Sequence, residues 1–591
     1  MNSLCPQTLA GVLTLTLFLS CSCADRACST RHNLDFEYTD LRGDIAQWAL
    51  PDTAYEGYAA TRDTRRRHHG RSSLRLEQVD TAKHKWASFH QSLPDTVAAG
   101  REVELSGWVR TAGVTTGFAD LYITVNNEEG RASYPSDAPN RGARGTTEWH
   151  RITLRRQIPD SASNIRIGGL LKGPGSAWFD DFEVRIDGQP LQDPMLPAPK
   201  TRLTRQEKRA LREYVYPLKG CDPTDADSVE LRVLGRMVGE RPVVALGENS
   251  HGASEIFRMK ERLIRYLASQ QGFDQVAFEA GMAESSTLNG YIRRGSGTAK
   301  AGIFGLGMWI WDTHEVLSLV EWMRQRNIDG HPIRFRGVDM QSTDGAEALL
   351  RMALGKDATA VQWLDEIGPK LDKVLTYNND NRARIDPQLA REIGQGLDAI
   401  ETRIDPSVSD AHDRALLRQW ITLIRQYLGL GEGPFWRDRC MAENLLWFRE
   451  QYPNSRIVLW AHNGHISKAD NRMGHWLQDR IGADYVNFGF TFYRGDCSII
   501  VPDSEKLQHD VQTAPPGTLE YLLHQLDEPI FILDLRRMRE ERAPALAWIN
   551  RMAFRHIGAL KWEEEFWDKG FADQFDYMVY IDRVTPSHLL F

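Results

Sequence analysis

Residues 242–252 decide the fold of the larger part of this chain: Pro242-Val243-Val244-Ala245-Leu246-Gly247-Glu248-Asn249-Ser250-His251-Gly252. A short apolar run that ends at glycine and polar residues predicts a buried strand. Three further runs have this form, and ionisable residues follow each: Ile457-Val458-Leu459-Trp460-Ala461 before His462 and His465, Val276-Ala277-Phe278 before Glu279, and residues 333–338 before Asp339. Because open α/β sheets place their ligand crevices at the carboxyl ends of strands, this pattern predicts an enzyme.

The region from residue 204 to 591 is predicted to be an α/β domain in which helices cover a largely parallel sheet. Strand-like runs alternate here with helical ones, and Thr204-Arg205-Gln206-Glu207 forms a capping box at the start of a helix. Between residues 342 and 449 strand signals disappear and amphipathic stretches such as 415–428 dominate. We expect this segment to be a helical insertion that covers the sheet.

Residues 30–190 are predicted to form an all-β sandwich, because apolar residues alternate there between turn-rich stretches. Residues 191–203 contain three prolines and no periodicity, which is typical of a semi-rigid linker. Four segments in order resemble galactose-binding-like, carbohydrate-module jelly rolls: Asn33-Leu34-Asp35-Phe36-Glu37, Gly70-Arg71-Ser72-Ser73-Leu74-Arg75-Leu76, Ser106-Gly107-Trp108-Val109 and Ala177-Trp178-Phe179-Asp180-Asp181-Phe182. This resemblance implies two alternatives for the domain, a bound carbohydrate or a structural appendage.

Residues 1–24 are predicted to be an export leader rather than part of the fold. Residues 9–20 are mostly apolar, uncharged and too short for a membrane span. Ser22-Cys23-Ala24 resembles a signal peptidase site, whereas Phe18-Leu19-Ser20-Cys21 resembles a lipobox, which would leave Cys21 lipidated. We expect a periplasmic, secreted or envelope-anchored protein that touches a membrane only through Cys21. The alternative is an unprocessed cytoplasmic start.

Length, charge and cysteine content narrow the class of protein further. A chain of 591 residues is too long for one core, so at least two domains are expected. The net charge of −8, with both signs interleaved, argues against nucleic acid as a partner. The seven cysteines include no C-x-x-C pair, which argues against a zinc ribbon, and export would permit disulfides among Cys28, Cys221, Cys440 and Cys497.

His251 and Glu248 are the first candidates for catalysis. Both lie in one tight turn between a strand and a helix, where Gly247 and Gly252 give the backbone freedom. A histidine beside a carboxylate can act as a general base, because the carboxylate fixes the tautomer and stabilises the imidazolium. Glu279, from a neighbouring strand end, could supply the same partner or a second acid or base. The alternative is that Glu248 and His251 only cap the helix and brace the loop.

The joint pattern of motifs over residues 204–591 resembles the erythromycin esterase family. The matching segments, in order, are Gly247-Glu248-Asn249-Ser250-His251-Gly252, Glu255-Ile256-Phe257-Arg258-Met259-Lys260, Phe278-Glu279-Ala280-Gly281, Trp309-Ile310-Trp311-Asp312-Thr313-His314-Glu315, Trp322-Met323-Arg324, Gly337-Val338-Asp339-Met340-Gln341, Ala461-His462-Asn463-Gly464-His465 and Met473-Gly474. Each segment alone is weak evidence, but their order along the chain is specific.

The resemblance implies hydrolysis of a carboxylic ester or macrolide lactone by water that a histidine activates, without a covalent intermediate or a cofactor. By motif match His251 is the base, and Glu248 and Glu279 orient it or the water. His462 and His465 donate to the oxyanion or to the leaving alkoxide. The remaining matched positions are expected to bind substrate: Arg258, Lys260, Trp309, Trp311, Glu315 and Asp339. Which of Arg258 and Lys260 points into the site is left open.

Three other chemistries compete with this interpretation. Ser250 is one residue out of register for the G-x-S-x-G turn of a serine hydrolase. His314-Glu315 lacks the second histidine of a zincin, which favours a capping role for Glu315. His251, Glu279, His462 and His465 are all zinc ligand types, so a metal-dependent hydrolase is an alternative, as is a non-catalytic exported protein that binds haem or another ligand. The substrate is expected to be an ester on a small molecule or a glycan.

Overall fold

The computed structural model divides the chain into two compact units, Met1–Ala198 and Pro199–Phe591. The leader with Cys21, and most of the expected linker, lie outside the described residues. No helix in the described part of the chain is long and apolar enough to cross a membrane. The structure describes residues 32–37, 39, 45, 47–51, 57–83, 85–93, 95–126, 132–133, 142–160, 162–191, 200–225, 229–381, 385–430, 435–500, 507–511, 513–550, 552–559, 565–567 and 570–591.

The N-terminal unit is an antiparallel sheet of nine strands. Its longest strand, β4, pairs with β8 through its first half, with β7 through its second half, and with β6 along its other edge. The strands are β1 (Tyr58–Asp63), β2 (Ser73–Gln78), β3 (Trp86–Ser92), β4 (Glu102–Asn126), β5 (Ala132–Ser133), β6 (Ala143–Gln157), β7 (Ser163–Lys172), β8 (Ser176–Ile186) and β9 (Gln189–Pro190), and one short helix, α1 (Asp95–Ala98), precedes β4.

Alternation along the strands builds the core of this unit. Val103, Leu105 and Val109 of β4 are fully buried, as their spacings of two and four residues require when one face of a strand packs inward. Phe179 of β8 joins an aromatic cluster in which ring centroids lie 5.0–6.5 Å apart, and Phe36, from the first of the jelly-roll-like segments, belongs to it. The all-β prediction for this region is therefore confirmed.

The C-terminal unit is built on a mixed sheet whose strand order is β10-β17-β20-β15-β11-β14-β12-β13. The six strands from β20 to β13 run parallel, whereas β17 pairs antiparallel with both β20 and β10. The strands are β10 (Val215–Pro217), β11 (Val243–Leu246), β12 (Gln275–Gly281), β13 (Arg334–Asp339), β14 (Ile457–Trp460), β15 (Tyr485–Ser498), β16 (Gln508–Asp510), β17 (Ile530–Asp534), β18 (Phe554–Arg555), β19 (Phe566–Trp567) and β20 (Tyr577–Val584).

Helices cover both faces of this sheet. Val243 and Ala245 of β11 belong to one core cluster and Val244 and Leu246 to another, so successive residues of a buried strand face opposite layers. The helices outside the central helical segment are α2 (Arg205–Arg212), α3 (Arg232–Val238), α4 (Ser254–Gln270), α5 (Ser285–Arg294), α6 (Ala299–Phe304), α7 (His314–Ile328), α14 (Asn463–Ile466), α15 (Met473–Ile481), α16 (Leu519–His524), α17 (Leu535–Glu540), α18 (Pro544–Ile549) and α19 (Phe571–Gln574).

Residues 342–449 are helical in their described part. Their buried residues, among them Leu350, Ile393 and Ile424, pack in the same cluster as Val243, so these helices cover one face of the sheet. They are α8 (Asp344–Leu354), α9 (Ala358–Asn381), α10 (Pro387–Thr402), α11 (Ile404–Ser407), α12 (Ala411–Leu428) and α13 (Trp436–Gln451).

Candidate active site

The candidate residues meet because their strands are parallel neighbours. Strand β14 lies between β11 and β12, and Trp460 is in register with both Leu246 and Phe278. The loops that leave these strands at their carboxyl ends are therefore adjacent. His251 follows β11 and His462 follows β14, while Glu279 is near the end of β12. In the structure, as predicted, residues from several strand ends lie together at one edge of the sheet.

Asn463 locks the two histidine-bearing loops together. Its backbone N–H donates to the carbonyl of Glu248 at 2.7 Å, and its side-chain amide exchanges hydrogen bonds with the backbone of Phe490 at 2.7 and 3.0 Å. Residue 247 must be glycine for this approach, because a Cβ there would lie 2.1 Å from the Asn463 Oδ1 atom. The loop that holds His251 is thus fixed by the loop that holds His462.

Glu248 is fully buried between a cation and a histidine. Its Oε2 atom accepts a hydrogen bond from the Lys260 ammonium, and its Oε1 atom lies 3.1 Å from the His251 Nδ1 atom. Burial lowers the pKa of Lys260 to about 8, against the attraction of Glu248 that favours the ammonium. The Lys260 Nζ atom also lies 4.2 Å from the centre of the Trp460 ring. Lys260 therefore holds the Glu248 carboxylate next to the Nδ1 atom of the His251 ring.

Glu279 anchors a second charged group. Its Oε1 atom lies 2.8 Å from the Arg437 Nη2 atom and 3.2 Å from the His465 Nε2 atom, and its Oε2 atom accepts the backbone N–H of His462 at 2.9 Å. Burial alone would raise the pKa of Glu279, but His465 and Arg437 outweigh it and hold the pKa well below the usual range. The carboxylate is therefore charged, and it fixes the start of the His462 loop.

Both ring nitrogens of His465 face carboxylates. The Nδ1 atom lies 2.8 Å from the Asp438 Oδ1 atom, and the Nε2 atom faces Glu279. Burial would lower the pKa of His465, but Glu279 and Asp438 raise it to about 10. His465 is thus an imidazolium whose donors are occupied within the protein, which corrects the expectation that it donates to an oxyanion or an alkoxide.

The charge on His465 predicts a pH dependence of stability. A raised pKa adds stability that is complete below the unfolded value of 6.5 and is lost as the pH rises through about 10. The lowered pKa of Glu279 adds stability that is lost only in acid. We therefore compare the free energies of unfolding of the wild type and a His465→Gln variant by urea denaturation. The wild type should be the more stable protein at pH 6.5, and this difference should disappear as the pH rises to 10. An advantage that stays constant over this range would mean that His465 is neutral.

Arg437 and Asp438 belong to α13 of the helical segment and were not among the sequence candidates. Arg437 donates to the Oδ1 and Oδ2 atoms of Asp339 at 3.0 and 2.6 Å, as well as to Glu279. Burial would lower the pKa of Arg437, but Asp339 and Glu279 raise it. The structure therefore places Asp339, predicted to bind substrate, in this ion-pair network. In the sequence, Arg437 and Asp438 look like two more charges on an amphipathic helix, and no spacing signal marks them.

His462 is a buried neutral histidine with one ring nitrogen unused. Its Nδ1 atom accepts the backbone N–H of Gly464 at 3.1 Å, so in the neutral ring the proton is on Nε2. Burial and the neighbouring histidines His556 and His251 hold its pKa well below the usual value. The buried Nε2 atom has no hydrogen-bond partner among the described residues. Since the His462 and His251 ring centroids are 5.1 Å apart, an N–H donor lies beside the candidate base.

The residues predicted to bind substrate divide into two groups. Lys260 is buried in the site, whereas the Arg258 side chain is 44% exposed and lies near Asp222, so Lys260 is the one of the two that points inward. Trp311 is buried, donates to the Glu279 carbonyl at 3.2 Å, and has its ring 6.1 Å from that of His251. Trp311 is therefore part of the wall behind the base.

Trp309 and Glu315 are fixed elsewhere in the fold. Trp309 is half-buried and packs against the apolar cluster on one face of the sheet. Glu315 accepts hydrogen bonds from the Ser254 hydroxyl at 2.5 Å and from the backbone and ring of His588 at 2.8–3.3 Å. These contacts tie the start of α7 to α4 and to the C-terminal segment. Neither residue is in the group around His251, and binding of substrate by them stays a prediction.

Among the residues that the structure describes, Glu248, His251 and Glu279 have potential ligand atoms within 4.8 Å of one another, the grouping that a metal site needs. Both carboxylates are already paired with cations, Glu248 with Lys260 and Glu279 with Arg437. A divalent ion would have to displace the Lys260 and Arg437 cations or bind next to them, and repulsion between like charges makes both unfavourable. The residues present therefore do not suit a metal ion. The buried Cys221, Cys440 and Cys497 are thiols rather than half-cystines.

Known proteins are similar to this chain in sequence. A family model for erythromycin esterase matches residues 268–584. A putative hydrolase of Bacillus subtilis (strain 168), YbfO, is 24% identical over 428 residues, which are 64% of this chain and 91% of that protein. Erythromycin esterase type II of Escherichia coli is 26% identical over 337 residues, which are 50% of this chain and 78% of that enzyme.

Solved structures support the fold of the C-terminal unit. A protein from Bacillus cereus has a TM-score of 0.57 at 24% identity, over 66% of this chain and 99% of that one. At this identity the likeness concerns the fold alone. For the N-terminal unit, a xylan-binding domain from Paenibacillus barcinonensis, 16% identical over 26% of this chain and 90% of that one, has a TM-score of 0.20, too low to support a conclusion about ligand.

Proposed function

The chain belongs to the erythromycin esterase family, and from this premise we propose that it hydrolyses a carboxylic ester or lactone with water that His251 activates, without a covalent intermediate. One observation carries the proposal. His251 lies 3.1 Å from the buried Glu248 carboxylate and has the unpaired Nε2 atom of His462 on a neighbouring ring. A base with its carboxylate and an adjacent hydrogen-bond donor are the minimum that ester hydrolysis requires.

His251 would take a proton from water as the water attacks the carbonyl carbon. Glu248 faces the Nδ1 atom, so Nε2 is the nitrogen that would accept this proton. The imidazolium that results is stabilised by the Glu248 carboxylate, which the hydrogen bond from Lys260 orients. His251 is only 7% exposed, so bulk solvent has little access to its ring.

His462 would stabilise the negative charge that develops on the carbonyl oxygen. Its Nε2–H donor is buried and unused, so it needs no reorganisation to bind an oxyanion. Removing one such donor typically costs about 10²–10³-fold in kcat. Glu279, His465 and Arg437 would act indirectly, because Glu279 holds the backbone N–H of His462 while the two cations neutralise it.

The substrate class is proposed from the family and from the predicted export leader. An ester on a glycan or on a glycosylated small molecule, including a macrolide lactone, suits an exported enzyme. A screen of esters and lactones, macrolides included, with a His251→Ala variant as the inactive control, tests the proposal. Hydrolysis by the wild type alone supports it. Equal hydrolysis by both proteins contradicts it, and a Soret band without hydrolysis would favour the haem-binding alternative.

A carbohydrate ligand for the N-terminal unit is a separate proposal that rests on the sequence resemblance. The exposed Trp86 side chain, at 46%, offers a ring on which a sugar can stack. Binding of soluble polysaccharides by wild type and by a Trp86→Ala variant tests it in affinity electrophoresis. Retardation of the wild type and of the variant by the same amount would remove Trp86 from the binding surface.

Because the chain forms two units, we expect the C-terminal unit to keep its activity after cleavage between them. The C-terminal unit, Pro199–Phe591, contains every residue of the proposed site. We expect limited proteolysis near residues 194–201 to release a C-terminal fragment that hydrolyses small esters with kcat within about threefold of the full chain. Purified fragment assayed beside the intact protein gives the comparison. An unfolded or inactive fragment would mean that the units form one cooperative structure.

A further inference from the structure

A fourth histidine lies beside the candidate base and its neighbours, and no motif of the sequence marks it. His556 follows the short strand β18, and its ring centroid is 4.6 Å from that of His462, with the rings nearly perpendicular at 86°. The His462 ring is thus flanked by His251 at 5.1 Å and by His556 at 4.6 Å. His556 is half-buried, in contrast to the other two, and can exchange protons with solvent.

The segment that carries His556 is built into the active-site loop. The N–H groups of Ile557 and Gly558 both donate to the Asn249 carbonyl, at 2.8 and 3.2 Å, and the Gly558 carbonyl accepts the His251 N–H at 3.2 Å. A Cβ at Gly558 would lie 3.9 Å from the unused Nε2 atom of His462. Residues 556–558 therefore border the space into which His462 points.

The hairpin of β18 and β19 fixes the position of His556. The His556 N–H donates to the Glu565 carbonyl at 2.7 Å, and the adjacent Arg555 guanidinium is paired with the Glu565 carboxylate at 2.7 Å. Arg555 is fully buried and pairs with Glu565. The ring of His462 packs against the ring of His556.

On the basis of the proposed hydrolysis, we propose that His556 is the general acid that protonates the leaving alkoxide. His251 takes one proton from the attacking water, and the tetrahedral adduct then breaks its C–O bond. The electron pair stays on the departing oxygen, which takes a proton from the His556 imidazolium, so an alcohol leaves and His556 becomes neutral. The acid product then ionises to a carboxylate and releases one proton. His251 returns its proton to solvent and His556 regains one, so the net products are a carboxylate, an alcohol and one proton.

A general acid has a distinctive kinetic signature, because it matters only when the leaving group is a poor one. 4-Nitrophenolate leaves without protonation, whereas ethoxide does not. For an ethyl ester and a 4-nitrophenyl ester of the same acid, we expect His556→Gln to lower kcat/KM about 10²-fold on the ethyl ester. Activity on the 4-nitrophenyl ester should be close to that of the wild type, which also shows that the variant is folded.

The control is His524→Gln, which replaces another partly exposed histidine of this unit, one that stacks on Tyr493 at 4.0 Å and pairs with Asp582. It should leave both rates unchanged. Equal losses on the two esters for His556→Gln, or no loss on either, would overturn the assignment of His556 while leaving the proposed function in place. A wild type that hydrolyses no ester would contradict the proposed function itself, and the assignment with it.

Discussion

Replacing His251 with glutamine is expected to lower kcat by about 10²–10⁴-fold, the range typical of a lost general base. Glutamine keeps a polar side chain next to the Glu248 carboxylate, 3.1 Å away in the wild type, but it cannot take a proton from water. The melting temperature should stay within a few degrees of the wild type, because the backbone bond from the His251 N–H to the Gly558 carbonyl is retained.

His524→Gln is again the matched control, because it removes one histidine from the same unit at a position outside the site. Steady-state kinetics on the best ester of the screen, with thermal melts of the three proteins, give the comparison. A folded His251→Gln protein with wild-type kcat would remove His251 from the mechanism. A loss of both folding and activity would be resolved by His251→Asn, a shorter amide with the same lack of basicity.

The second large effect is expected at Arg437. Arg437→Met leaves Glu279 and Asp339 buried, at 4% and 1% side-chain exposure, without their shared guanidinium. Removing one partner of a buried ion pair typically destabilises a protein by about 3–5 kcal/mol, because a charge is left unpaired. We expect a loss of this size in urea denaturation, together with a strong decrease in kcat, because Glu279 also holds the backbone of His462.

Arg439 provides the control for this experiment. It lies two residues further along α13, and its side chain is 49% exposed and paired with the exposed Glu443. Exposed pairs contribute about 0–1 kcal/mol, so Arg439→Met should change stability and activity little. Equal effects of the two substitutions would show that the effect of Arg437→Met does not come from the loss of the Arg437 ion pairs.

The strand ends could be predicted from the sequence because apolar runs and the polar residues after them lie next to each other in the chain. Because this pattern is local in the chain, it correctly predicts that His251, Glu279 and His462 lie at strand ends. The choice between Arg258 and Lys260 was also within reach of the sequence. Lys260 is four residues after Ile256 and three before Leu263, on the buried face of α4, whereas Arg258 is on the other face.

Other parts of the site depend on tertiary contacts that no local pattern encodes. Arg437 and Asp438 enter the site from a helix that the sequence presents only as amphipathic, and His556 enters from a two-residue strand. The charge state of His465 depends on two carboxylates from different elements, so its role could not be read from its spacing to His462. Strand β17, which pairs antiparallel with β20, likewise has the same apolar pattern as a parallel strand.

The most direct test of whether water itself attacks the ester is a single turnover in H₂¹⁸O with enzyme in excess over substrate. Two side chains of the site that could attack in place of water are the carboxylates of Glu248 and Glu279, whereas the buried Ser250 hydroxyl accepts the Gly252 N–H at 3.4 Å. Direct attack predicts one ¹⁸O atom in the product carboxylate of the first turnover and none in the protein. An unlabelled product, with ¹⁸O in a peptide that contains Glu248 or Glu279, would contradict a mechanism in which His251 activates water.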